Sequence, residues 1–250
     1  MRLFRSEVLK IRSTRLWIGL LLGAAALTLL GALATLSVAG TEQGAQAGVT
    51  PLRTVSDVRD FVYVANATGL FTVILGAIAV TGEYRSGTMA GTFLASPTRS
   101  PVVIAKAAAC AVIGIGFGVA CALIAVICAE GYFLTKGLPL QFGASVGVAI
   151  LVVAATSATS AAIGVGVGAV LRSQLVTVLA LLGWGLVVEQ LVGGLLHSWQ
   201  KWLPFAGAQA SLAQQEPDLL APLPGGLLLI GYVALAVVVG IWFTRRRDIT

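Results

Sequence analysis

Charged residues are scarce in this sequence: of 250 residues, 16 are Lys or Arg and 10 are Asp or Glu. Hydrophobic residues make up 58% of the chain, and its mean hydropathy is +0.96. A soluble domain of this size does not normally carry so large an apolar share, because its surface needs more polar and charged groups. The composition therefore excludes most soluble folds and predicts an integral membrane protein.

Histidine and cysteine are also rare. His197 is the one histidine, and Cys110, Cys121 and Cys128 all lie in one apolar run. One histidine cannot supply the paired ligands of a zinc site. On a helix these cysteines lie roughly 16 and 10 Å apart, too far for a disulfide or a shared metal ion. The chain also lacks the G-x-x-x-x-G-K-[ST] pattern of an ATP-binding loop, so we expect it to bind no metal or cofactor itself.

Six apolar runs are each long enough to cross a bilayer, which takes about 20 residues. They cover residues 16–38, 61–81, 102–128, 142–170, 175–196 and 223–243. Only Lys106 and Glu189 place a charge inside them, as expected because a charge in hydrocarbon costs several kcal/mol. Backbone groups in a bilayer need partners within the chain, so each run is predicted to be a helix. We expect an all-α integral membrane fold, with residues 1–250 forming a single transmembrane domain.

The basic residues predict how the chain is oriented. The connections on the side of the two termini hold 12 of the 16 Lys and Arg residues, while Arg53, Arg59, Lys136 and Lys201 lie on the other side. Because positive residues accumulate inside, both termini are predicted to be cytoplasmic. No connection is long enough for a soluble domain with a basic face, so the bilayer, and not nucleic acid, is the expected partner.

Residues 1–15 predict a helix that lies on the membrane surface. On a helical projection, Leu3, Phe4, Val8 and Ile11 fall within about 140° of arc, and most of the basic residues lie elsewhere. This pattern is typical of an interfacial amphipathic helix on an anionic inner leaflet. However, Glu7 lies inside the apolar arc, and a short basic anchor without a defined helix is the alternative.

The strongest local signal lies in the cytoplasmic connection 82–101, called the coupling segment below. It still carries Tyr84, Met89, Phe93 and Leu94, and their spacing predicts a short helix over about 86–95 that Pro97 stops. An apolar face flanked by charges indicates docking on a partner protein. Packing of this helix beneath the bundle is the alternative.

A motif in this region resembles the permease subunits of type-2 ABC exporters. Glu83, Gly87 and Thr88 form E-x-x-x-G-T, which is followed by the pair Phe93–Leu94 and by Pro97, Arg99 and Lys106. The resemblance implies that a coupling helix between the second and third spans binds a separate ATPase subunit. The implied coupling residues are Glu83, Tyr84, Arg85, Gly87, Thr88, Phe93, Leu94, Pro97, Arg99 and Lys106.

The same resemblance implies the rest of the assembly. Two permease copies, as a homodimer, would enclose the translocation pathway, and two ATPase subunits would bind ATP and Mg²⁺ and drive export. We expect the chain to lie in the plasma membrane and to be a transporter subunit and not an enzyme. An apolar or amphipathic cargo is expected from the apolar interior.

Three further features leave alternatives open. Ser145, within G-x-S-x-G, and His197 have the outline of a rhomboid-like intramembrane protease, and a membrane scaffold without transport is another alternative. Glu189, charged within the fifth run, is a candidate for the translocation pathway or a structural hydrogen-bonding residue. Trp199, Trp202 and Phe205 in the outer connection 197–222 predict an interfacial belt or a short re-entrant turn.

Overall fold

A computed structural model describes residues 2–46, 49, 51–88, 99–137, 139, 142–213 and 219–246. Within these residues the chain is helical and contains no strand. The helices are α1 (Arg2–Ser13), α2 (Leu16–Val38), α3 (Glu42–Gln46), α4 (Val55–Val62), α5 (Thr68–Arg85), α6 (Arg99–Thr135), α7 (Ala144–Leu171), α8 (Gln174–Gly183), α9 (Glu189–Leu195), α10 (His197–Gln200), α11 (Ala210–Ala213) and α12 (Pro222–Arg246). A 3₁₀ turn (Tyr63–Ala67) joins α4 to α5, and π-helical turns cover Trp184–Val188 and Pro204–Gln209.

The structure confirms the six predicted spans. Six helical units in the described part of the chain are long and apolar enough to cross a membrane. They are Leu16–Val38, Val55–Arg85, Ser100–Thr135, Ala144–Leu171, Gln174–Leu195 and Pro222–Arg246. A helix over Arg2–Ser13 also forms, as the apolar arc of residues 1–15 predicted.

Two helix boundaries differ from the apolar runs, because helix ends are set by capping and not by polarity. The second unit begins at Val55, before the apolar run, since the Thr54 hydroxyl accepts a hydrogen bond from the Asp57 N–H and the Asp57 carboxylate accepts one from the Thr54 N–H. The third unit continues beyond the apolar run to Thr135. It ends where Gly137 takes a φ of +66°, a left-handed conformation that favours glycine.

Helix α7 lies at the centre of the bundle and packs against α5, α6 and α12. Glycines allow its backbone to approach its neighbours closely. A Cβ atom at Gly164 would lie 2.1 Å from the Val73 carbonyl oxygen on α5, and one at Gly76 would lie 2.0 Å from the Ala161 oxygen on α7. On the other side, a Cβ at Gly114 on α6 would lie 2.7 Å from the Ser157 oxygen. Backbone packing of this kind holds apolar helices together in a bilayer, where hydrophobic burial between helices is weak.

Three hydroxyl groups in α7 donate hydrogen bonds within the helix itself, whereas the buried Ser157 hydroxyl has no partner among the described residues. Thr156 donates to the Val153 carbonyl at 3.0 Å, Ser160 to the Thr156 carbonyl at 2.8 Å, and Thr159 to the Ala155 carbonyl at 2.9 Å. These bonds let a helix with several Ser and Thr residues cross a bilayer that offers no water. The outer faces of α2, α8 and α12 expose large apolar side chains such as Leu22, Leu175 and Leu227, which suits contact with lipid.

Replacing Gly164 with alanine tests the close packing of α5 and α7. We expect Gly164→Ala to lower the free energy of unfolding by about 1–3 kcal/mol, because the new methyl group overlaps the α5 backbone. The midpoint of thermal unfolding in detergent measures the change. Gly147→Ala in the same helix is the matched control, since no atom lies within 4 Å of its added Cβ. Equal melting of the two variants would contradict the packing.

Candidate functional site

Four charged side chains form a cluster where α1 meets the ends of α5 and α6. Lys106 binds Glu7, and its Nζ lies 2.9 Å from Glu83 Oε1. Lys10 Nζ lies 2.7 Å from Glu7 Oε1 and 3.0 Å from Glu83 Oε1. Glu7 and Lys106 are 1% and 2% exposed, whereas the Lys10 side chain is 43% exposed. The cluster therefore joins the amino-terminal helix to the start of the coupling segment, at Glu83, and to the third span just after that segment, at Lys106.

The cluster balances two negative and two positive groups, which is what keeps buried charges ionised. Burial raises the pKa of Glu7, but the Lys106 charge and hydrogen bonds from Lys10 and Lys106 outweigh it, so the pKa lies below its ordinary value. Burial lowers the pKa of Lys10, but its bonds to Glu7 and Glu83 outweigh it, so that pKa is raised. Both shifts favour the charged forms, so the ion pairs persist at neutral pH.

Sequence reasoning assigned Glu83 and Lys106 to the coupling site but missed Glu7 and Lys10. The signal for Glu7 was present, because it is a carboxylate on the apolar face of an amphipathic helix. In the structure that face packs against the bundle, and Ile11 on it is 7% exposed. The lysine inside the third apolar run is the partner that Glu7 requires.

Two more predicted coupling residues contact the connection between α7 and α8. The Arg172 guanidinium lies over the Tyr84 ring, 5.0 Å from its centroid, and Arg85 Nη1 donates to Gln174 Oε1 at 3.3 Å. Arg172 has a φ of 59°, in the left-handed region, where it caps the end of α7. The first residues of the coupling segment are thus tied to the start of the fifth span.

The remaining predicted coupling residues are placed only in part. Gly87 has a φ of +69°, and the Thr88 hydroxyl lies 2.9 Å from that of Ser86. Arg99 is the first residue of α6, and the next residue, Ser100, accepts a hydrogen bond at 2.9 Å from Arg245 Nε near the carboxyl terminus. Phe93, Leu94 and Pro97, and most of the predicted helix 86–95, lie outside the described residues.

At the opposite end of the bundle, Glu189 is completely buried. Its Oε1 accepts a hydrogen bond from Trp184 Nε1 at 2.7 Å, and its Oε2 accepts bonds from the backbone N–H groups of Phe205, at 3.1 Å, and of Ala206. The π-helical turn Trp184–Val188 brings the indole to the carboxylate, five residues away along the chain. Glu189 therefore fastens the start of α9 to residues 204–209.

Residues 197–213, called the outer segment below, fold back against the bundle. Gln209 is 7% exposed and donates to the Ser160 hydroxyl of α7 at 2.8 Å, while Tyr232 of α12 donates to the Trp202 carbonyl. Trp199 and Trp202 are exposed. The outer segment therefore packs on α7 and α12 and leaves both tryptophans exposed, while the re-entrant turn and the interfacial belt stay predictions.

Ser145 and His197, the pair that the protease alternative requires, both lie in the described part of the chain. Ser145 is half-buried in the first turn of α7, and His197 is exposed at the start of α10. No hydrogen bond joins these two described side chains, so the structure does not assemble the nucleophile and base that a serine protease requires.

A comparison with protein families finds one that spans most of the chain. The model of the ABC-2 family transporter proteins matches residues 2–220. The chain belongs to the ABC-2 transporter family. It is a multi-pass membrane protein and a permease component of an ABC transporter, as the motif around Glu83 indicated. The ABC-2 permease is a membrane transport component of a kind that generally lacks an ATPase site of its own. No curated protein matches the chain.

Removing Lys106 tests the cluster. We expect Lys106→Met to destabilise the permease by about 3–5 kcal/mol, because Glu7 remains buried without its main counter-ion. Faster tryptic cleavage at Arg5 and Arg12 should report the release of α1. The double variant Glu7→Leu with Lys106→Met should recover most of the loss, and Lys136→Met is the matched control with an exposed lysine. Unchanged cleavage in Lys106→Met would show that the cluster does not hold α1.

Replacing Glu189 tests its hold on the outer segment. In Glu189→Ala the amide groups of Phe205 and Ala206 lose their acceptor, so we expect their hydrogen exchange to quicken by about tenfold or more. Mass spectrometry of the 200–213 region measures it. Gln190→Ala is the neighbouring control, because Gln190 makes no hydrogen bond to this segment within the described residues. If the two variants exchange alike, Glu189 does not fasten the segment.

Proposed function

We propose that this ABC-2 permease is the membrane subunit of an ATP-driven exporter and is coupled to a separate ATPase through residues 82–99. The observation that supports this best is the cluster of Glu7, Lys10, Glu83 and Lys106, because it joins the start of the coupling segment to α1 and to the third span just after that segment. A force applied to that segment by a docked protein would move α5, α6 and α1 together.

The contacts of Tyr84 and Arg85 extend this coupling to the rest of the bundle. Through Arg172 and Gln174 they connect the coupling segment to the end of α7 and the start of α8. Arg172 also donates to the Phe243 carbonyl of α12 at 3.4 Å. Closure of an ATPase pair would thereby reach five of the six spans, those that contain α5, α6, α7, α8 and α12, through side-chain contacts near the membrane surface.

The proposed orientation places this end of the bundle in the cytoplasm and the outer segment on the far side of a plasma membrane. The count of 12 Lys and Arg residues against four supports it. ATP and Mg²⁺ would bind to the partner, because the sequence has no P-loop. Two permease copies and two ATPase copies would form the assembly, and the direction, outward, rests on the family resemblance.

Glu189 has a positioning role in this proposal. Its carboxylate is occupied by three N–H donors and has no exposed surface. It would shape the outer wall of the pathway by holding residues 204–209 in place, and cargo would meet the neighbouring side chains. Alternating access would then require the helices to move at the end of the bundle where Lys106 lies, while residues 204–209 keep their conformation.

Co-purification tests the coupling. The detergent-solubilised permease should carry with it a subunit that contains a P-loop and hydrolyses ATP, and Arg99→Glu should reduce the recovered ATPase activity by at least tenfold. Charge reversal at Glu83 should also weaken the association. Lys136→Glu, which lies at the other end of α6, is the control and should have no effect. A permease that purifies without any ATPase would contradict the proposal.

Flux measurements distinguish the exporter from the two alternatives, a membrane scaffold and an intramembrane protease. Proteoliposomes that contain both subunits should move cargo only with ATP, whereas a scaffold would bind the partner and move nothing. Ser145→Ala should leave flux intact. Loss of a proteolytic product in that variant would instead support the intramembrane protease.

A further inference from the structure

A cavity of about 240 Å³ lies between α5, the fifth span and the outer segment. Its apolar walls include Leu70, Val73, Leu181 and Leu186. Its polar lining comes from the side-chain amides of Asn66, Gln190 and Gln209, and none of its lining residues is charged. A mostly apolar cavity with a few polar groups is the usual form of a small-molecule site.

The hydrogen bonds around Gln209 fix which of its amide atoms is available. Ser160 gives its hydroxyl hydrogen to the Thr156 carbonyl at 2.8 Å, so its oxygen accepts a bond from Gln209 Nε2, also at 2.8 Å. Gln209 Oε1 is therefore the free atom, and it has no hydrogen-bond partner among the described residues. A carbonyl oxygen that lines an apolar cavity and has no partner gains from a ligand that donates an O–H or N–H.

Glu189, whose carboxylate binds the backbone of the lining residues Phe205 and Ala206, has no free oxygen for a ligand. Both carboxylate oxygens of Glu189 accept hydrogen bonds, from Trp184, Phe205 and Ala206, and the residue is completely buried. With no free charge to meet, a charged ligand would lose its hydration without compensation. The cavity therefore favours an uncharged ligand.

Two glycines keep room for this ligand. A Cβ at Gly69 would lie 3.8 Å from Gln209 Oε1 and 3.2 Å from Ser160 Oγ, and a Cβ at Gly185 would lie 3.6 Å from the Phe205 ring. A cavity of about 150 Å³ holds benzene. The larger volume found here fits a two-ring group.

We propose that this cavity binds an uncharged, apolar two-ring or similarly sized group through a hydroxyl or N–H that donates to Gln209 Oε1. The inference rests on the proposed function only in that it makes such a group part of the exported cargo. Asn66 and Gln190 supply further polar contacts at the cavity edge, and the position between the second and fifth spans places the ligand within the membrane.

Binding of naphthol and of its methyl ether, methoxynaphthalene, tests the proposal. The two probes share the same rings, but only naphthol can donate a hydrogen bond. We expect saturable binding to the purified full chain in lipid nanodiscs, after subtraction of empty nanodiscs, with naphthol about tenfold tighter than the ether, which is the effect of one hydrogen bond of about 1.4 kcal/mol.

Three variants locate the site. Gln209→Leu should weaken naphthol about tenfold and leave the ether unchanged, whereas Gln174→Leu, at the other end of the fifth span, should change neither. Gly69→Ala should weaken both probes, because its methyl group enters the cavity beside Gln209. Unchanged binding of the ether to Gln209→Leu also shows that this variant keeps its fold.

The outcomes that overturn the proposal are specific. Equal affinity of the wild-type chain for naphthol and its ether, absence of saturable binding, or full naphthol binding by Gln209→Leu would each do so. The comparison of the two probes on the wild-type chain does not depend on the folding of any variant. The binding assay uses the chain without an ATPase, so a negative result does not contradict the coupling proposal. A failed co-purification, in turn, does not contradict ligand binding in this cavity.

Discussion

Polar groups inside a bilayer must find their partners within the protein, because hydrocarbon offers none. Thr156, Thr159 and Ser160 of α7 meet this constraint with the carbonyls of their own helix. Lys106 and Glu189, the two charged residues of the apolar runs, cannot do so locally. Each instead draws in a part of the chain that does not span the membrane: α1 in one case and the outer segment in the other.

The charged cluster around Lys106 and the hydrogen bonds of Glu189 lie at opposite ends of the bundle. At the end of the bundle where Lys106 lies, opposite charges on α1, α5 and α6 hold together the amino-terminal helix, the start of the coupling segment and the third span. At the other end, an unpaired carboxylate is stabilised only by N–H donors and fixes one wall of a cavity. The charged cluster links side chains that move with their helices, whereas Glu189 keeps a backbone turn in one conformation. In the proposed function, helix movement begins at the first of these contacts and cargo is recognised beside the second.

Local patterns predicted much of the architecture. Apolar run length predicted all six spans, and the amphipathic arc predicted α1. Helix ends were harder, since Thr54 and Gly137 act through capping and backbone conformation. The resemblance predicts Tyr84 and Arg85 as coupling residues, but the partners that they contact, Arg172 and Gln174, are far away in sequence. No periodicity or spacing connects residues that meet only when the helices pack.

The sequence by itself determined that this protein works within a membrane, with six helices and a coupling segment, because hydropathy and backbone hydrogen bonding act over short stretches of chain. Only the tertiary structure decided that Glu7 pairs with Lys106, that Glu189 bonds residues 204–209, and that Gln209 turns a carbonyl oxygen toward a cavity. Those three outcomes depend on how segments that lie apart in the sequence pack together, which no local pattern records.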